Sequence, residues 1–233
     1  MIQETFTSYL PEDKQNIDLQ GKNYLVLRQP KIKSRENKNI LITGPTGVGK
    51  TTLIRELAKT FPDQSHQVVS TTTRAPRPTD EPGDYIHMSV GDFLKKKDNG
   101  DFLIVKEYVN ENGISYYAYD KTSFKYPATQ LISTISVQNS KEYSQTEFLK
   151  DKTNISVFVT TSTIERLREQ LEARCTLDNL GNLIDARWKN VEIEMRQMKD
   201  SDIIVINRQN ELSKTVRQFY DLISSQTRLS SIY

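Results

Sequence analysis

From residue 39 onward, short continuous apolar runs alternate with stretches whose apolar positions recur every three or four residues. Asn39-Ile-Leu-Ile-Thr43 is a brief apolar run stopped by Gly44, the pattern of a strand buried on both faces. Lys50 to Phe61 follows with Leu53, Leu57 and Phe61 at helical spacing, and Pro62 ends it. Gln67-Val-Val-Ser70 predicts a second short strand. Ser89-x-x-Asp92 has the form of a capping box, opening a helix that carries Phe93 and Leu94. Strand-like runs at 101–108 and 114–119 flank the turn signal Asn110-Glu-Asn-Gly113, which predicts a hairpin. Further strands are expected at 130–137 and 155–160, then a helix opened by Ser162-x-x-Glu165. A longer helix puts Ile184, Trp188, Val191, Met195 and Met198 on one face. Asp202-Ile-Ile-Val-Ile-Asn207 is the last strand, and the last helix carries Leu212, Val216, Phe219, Leu222 and Ile223. The alternation predicts an α/β fold, a parallel sheet flanked by helices, interrupted by a small mixed-strand insert at about 70–120.

Residues 1–38 break this rhythm. They hold Pro11, Pro30, a polar stretch and one short strand-like run, Tyr24-Leu25-Val26-Leu27. The segment from Arg28 to Lys38 carries five positive charges against one negative, which reads as a solvated linker, with a site for an anionic partner as the alternative. We therefore expect an N-terminal extension of unassigned role over 1–38, one domain over 39–227 and a short tail over 228–233.

Charge and composition narrow the chemistry. Across 233 residues, 32 Lys and Arg nearly balance 30 Asp and Glu, a net of +2. That lacks the large basic excess of a duplex-binding surface, so no nucleic-acid partner is expected. No run approaches the roughly 18 apolar residues of a membrane span. The first residues lack a signal-peptide pattern, and a cytoplasmic location is expected. A single cysteine, Cys175, excludes an intrachain disulfide and any multi-cysteine metal site. The two histidines, His66 and His87, lie far apart and leave little for zinc or triad chemistry. Polar chemistry must therefore rest on Arg, Lys, Asp, Glu, Tyr and hydroxyls.

Gly44-Pro-Thr-Gly-Val-Gly49-Lys50-Thr51 matches G-x-x-x-x-G-K-[ST] between a predicted strand and a predicted helix. The glycines allow positive φ, which turns successive N–H groups inward as an anion nest, and the helix adds its positive end. Gly44, Thr46, Gly47, Val48, Gly49, Lys50, Thr51 and Thr52 are the candidate ATP site. Lys50 would reach the β- and γ-phosphates, and the Thr51 hydroxyl would ligate Mg²⁺.

A second candidate phosphate site follows. Ser70-Thr-Thr-Thr-Arg74-Ala-Pro-Arg77-Pro sets two arginines in a proline-punctuated loop, followed by Gly83-Asp84-Tyr85. Two guanidinium forks, several hydroxyls and a phenol suit a terminal phosphate dianion.

P-loop, S-x-T-T-R-x-x-R, a G-D-Y segment and the pair Tyr116-Tyr117, in that order, resemble the guanylate kinase family over roughly residues 39–225. Val205-Ile-Asn207 extends the likeness. The resemblance implies a core, an insert binding a nucleoside monophosphate and a mobile lid. It implies ATP as phosphoryl donor, Mg²⁺, small nucleotides as partners and transfer to GMP or dGMP. By the same resemblance Ser70, Arg74, Arg77, Tyr85 and Tyr117 hold the acceptor phosphate. Glu172-Ala-Arg174-Cys-Thr176 looks like the start of the lid and Ile184-Asp-Ala-Arg187 like its end. Lys50, Arg74, Arg174 and Arg187 are then the catalytic candidates.

Three motifs depart from the family. Its Tyr-Tyr pair usually leads into Gly-Thr-Ser, whose last hydroxyl helps read guanine; here Ala118-Tyr119-Asp120 follows. Its guanine-reading Glu corresponds either to Glu107 or, in a gapless alignment, to Ile104. Its Leu-Asp-Ile-Asp strand end is replaced by a run with Thr134 and Ser136 in place of the acids. Two readings therefore stand beside GMP kinase: a kinase of another phosphorylated acceptor, and a binding module without turnover.

Overall fold

Six strands form the main sheet and four others a smaller sheet beside it in the computed structural model. It describes residues 5–16, 18–30, 38–110, 113–125, 130–135, 137–146, 149–150 and 152–225. In chain order the elements are β1 (Tyr24–Val26), β2 (Lys38–Thr43), α1 (Lys50–Thr60), β3 (Ser65–Gln67), β4 (Ser70–Thr72) and β5 (Tyr85–His87). Then come α2 (Val90–Asp98), β6 (Phe102–Asn110), β7 (Gly113–Asp120), β8 (Gln130–Thr134) and α3 (Val137–Ser144). The chain continues with β9 (Thr153–Thr161), α4 (Ile164–Leu177), α5 (Ile184–Arg196), β10 (Ile203–Asn207) and α6 (Leu212–Ser225).

The main sheet has the order β1-β10-β9-β2-β8-β3 and is parallel except at β1, which pairs antiparallel with β10. Its inner strands β2, β8, β9 and β10 are largely buried, while the edge strands β1 and β3 are mostly half-buried. Side chains alternate across it. Ile40, Ile42 and Ile132 enter a large core with Leu53, Leu57, Val157, Val216 and Phe219. Leu41 and Leu131, between them in sequence, enter a second cluster with Val68, Tyr119, Phe124, Tyr143 and Leu149. The smaller sheet, β5-β4-β7-β6, rests on α2 through Phe93, Phe102 and Ala118.

Three local expectations change. The strand expected at 67–70 is two strands in two sheets: Val68 N–H bonds to Ile132 O at 2.8 Å, and the chain crosses to the smaller sheet before Ser70. The strand expected at 130–137 ends at Thr134. There Ile135 N–H closes the ladder on Ile42 O at 2.9 Å, and α3 then brings Tyr143 into the second cluster. The helix expected to open at Ser162 is capped one residue later, where extended Thr163 accepts from Arg166 N–H at 3.2 Å. Ser89 caps α2 by accepting from Asp92 N–H at 3.1 Å, and β6 and β7 form the hairpin, with Asn110 opposite Gly113.

The N-terminal residues dock on the domain rather than extending from it. Phe6, Leu10 and Leu25 join the large core. The buried Asn23 side chain donates to Glu211 Oε2 at 3.0 Å and to Thr215 Oγ1 at 2.9 Å, while its N–H donates to Gln218 Oε1 at 2.7 Å. Residues 31–37 and 226–233 lie outside the described residues. Phe6 is 4% exposed, so Phe6→Ala removes a packed ring and is expected to lower unfolding free energy by about 3 kcal/mol. Denaturant titration checks this; an unchanged midpoint would show that the segment does not pack.

Candidate active site

The loop after β2 lies at the carboxyl end of the central strand, where open parallel sheets place their ligands. Gly44, Gly47 and Gly49 have φ of 126°, 88° and 93°. At Gly44 and Gly49 nothing larger fits: a Cβ on Gly44 would strike the Val159 carbonyl, and one on Gly49 would come within 2.5 Å of Asn207 Nδ2. That Asn207 amide donates to Val48 O at 2.8 Å and ties the loop to β10. Val48 is buried in the large core, so only its backbone can serve an anion. Thr51 is half-buried on the first turn of α1 and Thr52 is exposed there.

Lys50 Nζ donates to Gly44 O at 2.6 Å and Pro45 O at 2.8 Å, which holds it over the loop. Desolvation lowers its pKa to about 8; the Glu194 carboxylate on α5 works against this shift and the Arg174 charge adds to it. Glu194 itself is raised by burial, opposed by Lys50 and by the Thr46 N–H it accepts from.

Across one cleft of about 620 Å³ stands a second cationic group. That volume suits a drug-sized or nucleotide-sized ligand. Gly44, Thr46 and Lys50 line one part, and Ser70, Arg74, Arg77, Tyr85 and Tyr117 line another, with Arg187 facing in from α5. Arg74 is nearly buried: its Nε donates to Tyr117 Oη at 3.1 Å, its Nη1 to Ala75 O at 2.7 Å and its Nη2 to both Asp80 oxygens at 3.1 and 2.8 Å. Its guanidinium lies 4.9 Å from the Tyr85 ring centre. Burial pushes the Asp80 carboxyl up, but the Arg77 N–H and the Arg74 guanidinium hold it below the usual range.

Arg77 differs. Desolvation lowers its pKa, and the charges of Arg74 and Arg187 lower it further. Arg187 Nη1 is buried with no hydrogen-bond partner among the described residues. Cations crowded this way, with an unsatisfied donor among them, make a site that an anion relieves. Arg174 does not line the cleft; its Nε sits 3.6 Å from Asp178 on its own helix. Cys175 is buried in the large core.

Glu107 is not in the cleft. In β6 Ile104, Lys106, Tyr108 and Val109 line the cleft, with a register shift between Phe102 and Val105, and Lys106 lies opposite the cleft-lining Tyr117. Glu107 lies opposite Tyr116, which stacks on Phe93 of α2, and its carboxylate reaches Lys97 at 3.9 Å. Of the two expected positions, Ile104 lines the cleft and Glu107 does not. Thr134 lines the cleft and takes the Tyr119 hydroxyl on its carbonyl; Ser136 lies outside the described residues.

Sequence reasoning missed Asp80, Asp178 and Glu194. Asp80 stands three residues after Arg77 in the same loop, a spacing that could have suggested a partner for the arginines. Asp178 accepts from the Thr79 hydroxyl at 2.6 Å, joining the acceptor loop to α4, and nothing local in the sequence signals that contact.

A P-loop facing an arginine-lined anion site across one cleft defines a phosphoryl-transfer protein that holds two phosphorylated ligands at once. The guanylate kinase family model matches residues 36–226. A guanylate kinase of Chlamydia felis is 32% identical over 197 residues, covering 81% of this chain and 86% of that protein. One of Campylobacter jejuni is 31% identical over 174 residues, covering 72% and 80%. The crystal structure of guanylate kinase from Anaplasma phagocytophilum superposes with a TM-score of 0.57 at 17% identity, over 86% of this chain and 89% of that one. The chain belongs to the guanylate kinase family and is an ATP-dependent nucleoside monophosphate kinase. Among the described residues no helix is long and apolar enough to cross a membrane.

Lys50 must be charged to hold polyphosphate. With its pKa in the free protein lowered to about 8, the charged fraction falls as pH rises through that value. Kcat/KM for ATP is expected to decline about tenfold per pH unit above this point while remaining level between pH 6.5 and 7.5. A profile flat to pH 9.5 overturns the role given to Lys50.

Proposed function

We propose that the protein transfers the γ-phosphoryl group of ATP to the phosphate of GMP or dGMP. The donor lies on the loop from Gly44 to Thr52, and the acceptor phosphate is held by Ser70, Arg74, Arg77, Tyr85 and Tyr117. The observation that carries this reading is the convergence of Arg74, Arg77 and Arg187 on the cleft that Lys50 also lines, with the Arg187 donor unpartnered.

The chemistry needs no base. An acceptor phosphate oxygen is already anionic; it forms a bond to the γ-phosphorus as the bond to the β,γ-bridging oxygen breaks, and ADP leaves with that electron pair. What the side chains must do is bring two polyanions into line and offset charge on the group in flight. Lys50 sits at the donor phosphates and Arg77 at the acceptor. Arg187, which lines the same cleft from α5, is assigned to the transferring oxygens, whereas Arg174 lies outside the cleft lining.

A magnesium ion fits this site without a protein cage. Mg²⁺ keeps several waters and binds chiefly through substrate phosphates, so a single hydroxyl such as that of Thr51 suffices. No cluster of three or more His, Cys, Asp or Glu forms among the described residues, so the ion would arrive with the nucleotide. Thr51 would hold it, and it would supply positive charge that offsets the charge on the donor phosphates.

A coupled ADP-release assay with GMP tests the reading, and Arg77→Ala tests the division into donor and acceptor sites. The variant is expected to lose about 10²–10³-fold in kcat/KM for the acceptor, with the ATP KM within about threefold of the parent. If the ATP KM alone moves, Arg77 belongs to the donor site instead.

A further inference from the structure

Resting on the phosphoryl-transfer reading, we infer that Asp178 is a positioning residue for the phosphate acceptor. Through the Thr79 hydroxyl it holds the turn that carries Arg77 against α4, and so keeps Arg77 assembled with Arg187 on the cleft.

Arg77-Pro-Thr-Asp80 is a tight turn. Asp80 N–H donates to Arg77 O at 3.0 Å, and Arg77 N–H donates to Asp80 Oδ2 at 2.8 Å. Pro78 stands at the second position, where its ring presets the φ that a turn requires. The Asp80 carboxylate also takes the Arg74 fork, so the turn and both arginines are bound into one piece. Thr79 is the third residue of that turn, and whatever fixes it fixes Arg77.

Asp178 fixes it from another element. Its Oδ1 accepts from the Thr79 hydroxyl at 2.6 Å and from the Thr79 N–H at 3.4 Å. A hydrogen bond to a carboxylate is about twice as strong as a neutral one.

Stability of α4 does not account for this carboxylate. Asp178 follows the last residue of α4, where the helix dipole disfavours negative charge, and its side chain is fully buried. Oδ2 has no hydrogen-bond partner among the described residues. Arg174 Nε, 3.6 Å from it, is buried and lacks one as well. A buried carboxylate left half-satisfied costs stability.

The acceptor site does account for it. Arg77 and Arg187 line one cleft from separate elements, and their like charges push the loop and α5 apart. Residues 178–183 join α4 to α5, so a turn tied to Asp178 is tied beside the start of the helix that bears Arg187. The Asp178 charge also attracts Arg77, against the repulsion from Arg74 and Arg187. An incoming phosphate then meets two guanidinium groups already gathered, which favours its binding and its alignment.

The test compares Thr79→Val, which keeps the volume and removes the donor, with Thr79→Ser, which keeps the donor. Thr79→Val is expected to lose at least about tenfold in kcat/KM for GMP, with the ATP KM within about threefold of the parent. Thr79→Ser is expected to stay within about threefold of the parent for both substrates. Added to Asp178→Ala, Thr79→Val is expected to cost less than about threefold more, because the contact is already gone. Where Asp178→Ala does not fold, the two Thr79 variants decide alone. A smaller loss in Thr79→Val, a Ser variant as impaired as the Val one, an ATP KM that moves equally, or an undiminished loss beside Asp178→Ala overturns the inference. If the parent itself releases no ADP with GMP, the phosphoryl-transfer reading fails and this one with it; an active parent with indifferent Thr79 variants sinks this one alone.

Discussion

Lys50, Arg74, Arg77 and Arg187 line one cleft, and like charges about 6 Å apart repel by about 3 kcal/mol even at an effective dielectric constant of about 20. Holding them together is the constraint that the surrounding structure answers. Asp80 takes the Arg74 fork and the Arg77 N–H, and Glu194 faces Lys50. For Arg77 the attraction of Asp178 does not offset desolvation and the charges of Arg74 and Arg187, so its pKa is lowered, and Arg187 keeps a buried nitrogen without a hydrogen-bond partner among the described residues. The cationic group is thus only partly neutralised by the protein's own carboxylates. An incoming phosphate gains most where the protein has left its own compensation out.

That arrangement depends on where the sheet puts its ends. The loop bearing Lys50 leaves the central strand β2, flanked by β8 and β9, and Gly44 nestles against the Val159 carbonyl of β9. Thr134 and Ile135 follow β8 on the same side. The smaller sheet reaches the cleft through β4, β6 and β7, and the Thr79 to Asp178 contact joins its acceptor loop to α4. Donor and acceptor sites thus belong to different sheets, joined by apolar packing of Tyr119, Leu103 and Ile104 on the second cluster and by the Thr79 to Asp178 hydrogen bond.

Much of this was legible in the residues, because its causes are local. A buried parallel strand, a glycine-rich turn and a capped helix each follow from neighbours in sequence, and Lys50 to Thr60, Val90 to Asp98 and the β6–β7 hairpin are read from spacing alone. The errors fell where a neighbour in space decides. Val68 and Ser70 look continuous as a strand, but the first bonds to Ile132 and the second pairs with Tyr85. Glu107 and Ile104 differ by an odd step along one strand and so face opposite ways. Which of them faces in is settled by the register of Lys106 against Tyr117. Asp178 meets Thr79 across 99 residues of chain, a pairing that periodicity cannot report.

The two ends of the cleft divide the work unequally, and transfer chemistry explains why that is tolerable. Rate depends on contacts stronger in the transition state than in the ground state. Here charge moves among phosphate oxygens only, so the roles proposed for Lys50, Arg77 and Arg187 put them where contacts change during reaction. Contacts to a base stay the same from binding to release; they set affinity and choice of acceptor but add nothing to the chemical step. Base contacts can therefore vary while the phosphate machinery stays whole. With so little histidine in the chain, nothing in that machinery asks for a proton to be moved.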